Sequence, residues 1–259
     1  MKKQLFFLYF LLFLFLAVIG YSSFMLLTME TEPEIPEEYA GYVEIQQDVT
    51  VSEAAPEPEE TLGDNGVYLD FDLEELLSIN ENFDSWLFIP DTEISFPVVR
   101  TTDNYYYLDH SFDRSRSIYG CLYFDVACVP GSENHVIHGH NMGINRKEMF
   151  STLVSYQDQT YAQEHTTAYL AVSPEEAAEV YELFAVINFD LASNYPFDYV
   201  KPNFESAEDK EAFIAYLQNL SIYETEYVPE GKLLILSTCN RGFGANNRLL
   251  ICYGEKSAE

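Results

Sequence analysis

Three kinds of side chain suited to acyl transfer sit at the ends of apolar runs in this chain. Cys239 closes "KLLILSTC" and Arg248 opens "RLLICYG", with a turn-rich polar loop between them. Upstream, "NHVIHGHNMG" puts His138 and His140 at the end of another strand-like run. The thiolate is the nucleophilic form of cysteine, and a free thiol with pKa about 8.5 is mostly protonated at neutral pH, so it needs a base or cation beside it. Imidazole titrates near pH 6.5 and suits that role. A guanidinium stays protonated and can stabilise the oxyanion of an acyl transfer or hold the carbonyl under attack.

Competitors exist for two of the three roles. His138 and His140 lie two residues apart and would share one face of a strand. His140 falls at the turn before Asn141, where a ring can reach out of the sheet, so it is the candidate base; His138 is better placed for packing. Arg241 lies two residues past Cys239 in the loop "NRGFG" and reads as solvent-exposed, which favours Arg248. Ser237, Thr238 and Asn141 flank these groups and are candidates for substrate contacts. Zinc is a further reading of the H-x-H pair with Cys239, but a structural site takes four ligands and no C-x-x-C or H-E-x-x-H is present. No metal or cofactor is expected. Each residue alone also has a plain reading: a cysteine ending an apolar run is usually core, a strand-end histidine is packed, and an arginine is a solvated rim charge.

The elements that must position these groups are short. "EISFPVV", "GCLYFDV", "NHVIHGH", "TAYLAV", "VYELFAVINF", "KLLILSTC" and "RLLICYG" are β-branched or aromatic runs separated by Pro, Gly, Asn and Asp. Their number and spacing predict an antiparallel sheet closing toward a barrel. "DLEELLSINENFDSW" reads as an opening helix, with Leu73, Leu76, Leu77 and Phe83 at helical spacings. "KEMFSTLVSY" and "SAEDKEAFIAYLQNL" read as two more, the latter capped by Ser206 with Phe213, Leu217 and Leu220 on one face.

Composition places this domain outside a membrane. Gln4 to Met29 carry no charge, and Leu5 to Leu27 is long enough to cross a hydrocarbon core in roughly 20 residues. Lys2 and Lys3 precede it and no Lys or Arg follows before Arg100, so the N-terminus is expected in the cytoplasm and the rest outside. A cleaved signal peptide is the competing reading, but the apolar run is long and no A-x-A site follows. Residues 1–29 are therefore read as a cytoplasmic tip and signal-anchor, 30–66 as a disordered extracellular linker, and 67–259 as the catalytic domain. The linker holds twelve Asp or Glu and no Lys or Arg before Asn65, with four prolines, a composition that stays extended. A net charge of −30 argues against nucleic-acid binding. Four cysteines in an exported chain raise the question of disulfides, but Cys121 and Cys128 bracket an extended run and lie beyond bridging range, and Cys252 reads as a small buried hydrophobe.

Taken together, "LSTC" closing one strand, an arginine opening the next and "GHN" after an apolar strand resemble the signature of sortases, the membrane-anchored cysteine transpeptidases of Gram-positive bacteria. "WLFIPDTEISFPVV" followed by "DNYYYLDHSF", and the extra helix before the cysteine strand, are similar to class B members. The resemblance covers residues 67–254. It implies an eight-stranded β-barrel decorated with helices, with Cys239 as nucleophile, His140 as acid and base, and Arg248 as the arginine. It implies cleavage after the Thr of a C-terminal sorting signal, NPxTx-like in class B, through a thioester. The acceptor would be an amine of a cell-wall peptide or a pilin lysine. Two other functions use the same residues: an exported Cys-His cell-wall hydrolase, and a catalytically silent domain on a stalk.

Overall fold

The computed structural model describes residues 50–52, 66–143, 145–193, 197–239 and 247–256. The segment 5–27 expected to span a membrane, most of the acidic stretch 30–66 and the loop 240–246 with Arg241 lie outside the described residues. Among the described residues, no helix is long and apolar enough to cross a membrane.

Among the described residues ten strands run in chain order: β1 (Thr50–Ser52), β2 (Tyr68–Asp70), β3 (Phe83–Phe88), β4 (Ser95–Val99), β5 (Leu122–Phe124), β6 (Asn134–His138), β7 (Thr167–Ala171), β8 (Glu179–Asp190), β9 (Leu233–Cys239) and β10 (Asn247–Glu255). Eight of them close a barrel in the order β10-β8-β7-β3-β4-β5-β6-β9. β1 and β2 form a separate antiparallel pair, so Thr50–Ser52, within the stretch read as linker, are strand-paired.

All seven expected strands are present, but the sheet is mixed. β4 pairs with β5, and β6 with β9, in parallel. The second parallel pair has a functional consequence: it brings the C-terminal ends of β6 and β9, with their histidine and cysteine, to the same mouth of the barrel. The eighth strand, β3, occupies the tail of the expected opening helix. That helix, α1 (Leu73–Ile79), stops at Asn80, whose backbone is extended. The buried Asn80 amide donates to Tyr107 Oη at 2.8 Å and to the Phe112 carbonyl at 2.7 Å, while its oxygen accepts from Asn82 N–H. These long-range bonds fix Asn80 outside the helix. Phe83, read from its spacing as a helical apolar position, opens β3 instead.

The other helical patches also differ in part. "KEMFSTLVSY" yields a 3₁₀ segment, Phe150–Gln157, and a short helix α2 (Gln159–Glu164) follows, with Asp158 accepting from Thr160 and Tyr161 N–H. The helix α3 (Ala207–Leu220) forms as expected, with the Ser206 hydroxyl accepting from Asp209 N–H. It buries Phe213, Ile214 and Leu217 against Val136, Ile235, Leu250 and Cys252.

That packing identifies the two faces of the wall. Successive strand residues point to opposite sides, so Val136, Ile235 and Leu250 face outward beneath α3. Their neighbours face the interior, where Val186, Ile251, Leu236, Ile137 and Phe124 form a belt of directly paired residues, each at most 1% exposed.

Candidate active site

The outward row on β9 runs Leu233, Ile235, Ser237, Cys239; only its last member reaches solvent. α3 covers the start of this row and leaves its end open. On β10, Arg248 is the direct Cα partner of Cys239. Directly opposed residues on antiparallel strands share a face with Cβ atoms about 4.5–5.5 Å apart. Cys239 and Arg248 therefore share one face and line the same cavity, with Arg248 Nη1 donating to the Asn247 carbonyl at 3.3 Å. On the other flank, His138 is level with Ser237 in the parallel β6–β9 ladder, and Gly139 N–H donates to the Ser237 carbonyl at 3.2 Å. Continuing that register two residues brings His140 level with Cys239. Arg248, Cys239 and His140 thus form one row across three adjacent strand ends.

Local bonds lock this arrangement. Thr238 Oγ1 donates to the Gly139 carbonyl at 2.8 Å, and Asn141 Nδ2 donates to the Cys239 carbonyl at 3.0 Å. Each stitches the cysteine strand to the histidine turn. A side chain at Gly139 would collide with Leu122 and Phe150, so only glycine lets the strand end pack this closely. Gly120 sits at φ +64°, and a Cβ there would strike the Tyr107 carbonyl and crowd the His140 ring.

The His140 tautomer follows from its partner. Nε2 lies 2.7 Å from the Leu108 carbonyl, which can only accept, so Nε2 carries the proton. The lone pair of neutral His140 is therefore on Nδ1. When the ring is doubly protonated, the carbonyl dipole stabilises it.

These groups line a cavity of about 280 Å³ whose walls include Asn104, Leu108, Tyr123, Asp125, His138, His140, Tyr199, Ser237, Thr238, Cys239 and Arg248. His138 Nε2–H donates to Asp125 Oδ2 at 2.9 Å, and Asn104 Nδ2 donates to the same oxygen at 3.0 Å. Burial pushes the Asp125 carboxyl upward, but bonds from His138, Ala127 N–H and Asn104 outweigh it and hold the group below the usual range. Burial raises the Tyr123 and Tyr199 phenols, which stay protonated. Tyr199 is 3.2 Å from the Ser237 hydroxyl. A larger depression of about 900 Å³ lies at the other end of the barrel, around Glu182 and Lys256; its lining holds no thiol or imidazole.

The four cysteines are all free. Burial lifts the Cys128 thiol to about 11 and drives Cys121 and Cys252 higher still, so all three are inert at neutral pH. Cys239 is the one that is not buried.

The structure thus brings Cys239, Arg248 and His140 together, with Ser237 and Thr238 in the same wall. Asn141 is 5% exposed and makes a backbone clamp rather than part of the cavity lining. Sequence reasoning missed Asp125, Tyr123, Tyr199 and Asn104, and it gave His138 only a packing role. One signal was present: Asp125 is an acid inside the otherwise apolar run "CLYFDVAC".

No protein-family model matches the chain. It is 29% identical to sortase B of Listeria monocytogenes over 173 residues, 65% of this chain and 67% of that protein. Sortase B of Staphylococcus aureus is 21% identical over 255 residues, 97% of this chain and 96% of that protein. The solved structure of sortase B from Listeria monocytogenes superposes with a TM-score of 0.59 at 26% identity, covering 71% of this chain and all of that one. These likenesses support a sortase, most like class B. As a sortase it is a cysteine transpeptidase, and the thiol, imidazole and guanidinium at the barrel mouth are the groups such chemistry requires.

Proposed function

We infer that this sortase is anchored in the cell membrane by its N-terminal segment, with the catalytic domain outside, and joins surface proteins to an amine. The observation that carries the reading is the single row Arg248–Cys239–His140 at an open barrel mouth. In the first half-reaction the Cys239 thiolate attacks the carbonyl of the Thr in a C-terminal, NPxTx-like sorting signal. Arg248 steadies the oxyanion. Protonated His140 gives its proton to the departing amine, and the C–N bond breaks to leave a thioester. In the second, an amine from a cell-wall peptide or a pilin lysine takes the acyl group, and His140 recovers a proton from it. The Leu108 carbonyl supports both roles, because it holds the ring in place in either protonation state. The uncharged run 5–27 after Lys2 and Lys3 supports the anchor and its orientation.

The test supplies the full chain with an NPxTx-type peptide, with and without lysine amide. A product joined to lysine amide, increasing with amine concentration, is the expected result. Product that stays entirely hydrolytic at high amine concentration would make the protein a hydrolase instead.

A further inference from the structure

Proton bookkeeping for the second half-reaction leaves a gap that His140 alone cannot fill. This argument rests on the transfer reading above. The reactive form of the pair is a thiolate and an imidazolium. The first step consumes the His140 proton, so His140 is neutral in the thioester. The acceptor arrives as an ammonium, because an alkylamine of pKa near 10 is almost wholly protonated at neutral pH. Converting R–NH₃⁺ and a thioester into an amide and a thiolate releases two protons. His140 takes one, which restores the imidazolium. The other needs a second acceptor before the nitrogen has a lone pair to attack with.

The cavity contains one such group. His138 lies one outward step below His140, level with Ser237. Its Nε2–H is held by Asp125, so the lone pair is on Nδ1, for which no hydrogen bond occurs among the described residues. Asp125 is 7% exposed and fixed on three sides by His138, Asn104 and Ala127. A buried carboxylate behind an imidazole fixes its tautomer and stabilises the imidazolium that forms. The other titratable groups facing His138 are poor acceptors. Tyr123, tilted against its ring, and Tyr199 are protonated phenols; Arg248 on β10 is cationic; Cys239 on β9 is acylated at this stage. The charge pattern also fits. Going from β10 through β9 and β6 to β5, the wall passes from the Arg248 cation through the thiol to the Asp125 anion, so an ammonium is repelled on one side and drawn to the other. The cavity is small, about 280 Å³, so a bound amine lies within reach of these groups.

We propose that His138, positioned by Asp125, is the second base of the site and takes the first proton from the incoming ammonium. The amine then attacks the thioester carbon, a C–N bond forms, and the C–S bond breaks to release the Cys239 thiolate. The remaining excess proton on nitrogen passes to His140, and His138 returns its proton to water.

The experiment compares two acceptors on the full chain charged with an NPxTx-type peptide at pH 7.5. Nα-acetyl-lysine amide, whose sole amine is the side-chain ammonium, is cationic and must lose two protons; hydroxylamine is uncharged and must lose one. In His138→Gln the ratio of lysine product to hydroxamate should fall by about 100-fold, in line with the usual contribution of a general base. Asp125→Asn should lower the same ratio by a smaller factor. In His138→Gln the lysine reaction should also rise about tenfold per pH unit below the amine pKa, because only free amine reacts; the native chain should rise less steeply. An unchanged ratio in both variants, or an equal loss on both acceptors, would overturn the role of His138 while leaving the transferase intact. Failure of the native chain to form either product would remove the transfer reading and this inference with it.

Discussion

The two ends of the barrel use similar residues to opposite effect. At the end far from Cys239, Lys232 pairs with Glu179 and lies 3.8 Å from Glu255, while Tyr181 Oη donates to Glu179 at 2.6 Å. Nearby, Arg100 pairs with Asp84 at 2.6 Å and lies over the Phe124 ring. These charges cancel one another and tie strand ends together. At the open mouth, a thiol, two imidazoles, a carboxylate and a guanidinium surround a space. The histidines of β6 and its turn show the contrast within six residues. His135 points inward toward the far end, buried edge-on against Phe124, and neither ring nitrogen has a hydrogen-bond partner among the described residues. Burial first, then the Arg100 charge, depresses its pKa below the usual imidazole value. His138 and His140 face the cavity, each with a partner that sets its tautomer. Residue type does not separate a catalyst from a mute core group. Access and the hydrogen bond on the far nitrogen do.

The largest test of that contrast is Cys239→Ala, which should reduce transfer to background while the melting temperature stays within a few degrees of native. Loss of transfer in Cys252→Ala with Cys239→Ala active would invert the assignment. Next is His140→Ala, expected to cost about 100-fold or more in kcat/KM, since general acid–base catalysis contributes 10² to 10⁴. An equal loss of turnover in His135→Gln would show that the two ends are not functionally distinct. Arg248→Lys should slow transfer by about tenfold, because an ammonium cannot reproduce the planar fork; near-native rates would remove Arg248 from the mechanism. The smallest effect concerns stability. The unfolded chain protonates His135 near pH 6.5, whereas the fold resists it, so stability should fall as pH drops below about 6.5. Melting curves at pH 7.5 and 5.5 should show a smaller decline in His135→Gln than in the native chain. An identical decline would mean that another group controls it.

Much of this was legible in the sequence because the site depends on strand ends. Apolar runs with sharp polar boundaries located β4 through β10, and the residues at their ends supplied Cys239, Arg248 and His140. Pairing direction was not legible, since a parallel β6–β9 ladder leaves no mark in either run. β3 was lost because "NENFDSW" continues a helical spacing, and the bonds from Asn80 to Tyr107 and Phe112 that end the helix span 27 residues and more. Asp125 was overlooked for a similar reason: its meaning comes from His138, 13 residues away across a turn. Thr238 and Asn141 were recognised as belonging near the site, but their clamping of backbone carbonyls appears only once both strands are in place.

The central claim is that the sulfur of Cys239 carries the acyl group. The most direct measurement is acid quenching of the full chain during turnover of an NPxTx-type peptide, followed by mass spectrometry of its fragments. The account predicts a peptide adduct confined to the fragment containing Cys239, and discharged by hydroxylamine. An adduct on Cys121, Cys128 or Cys252, or continued turnover in Cys239→Ala, would contradict it.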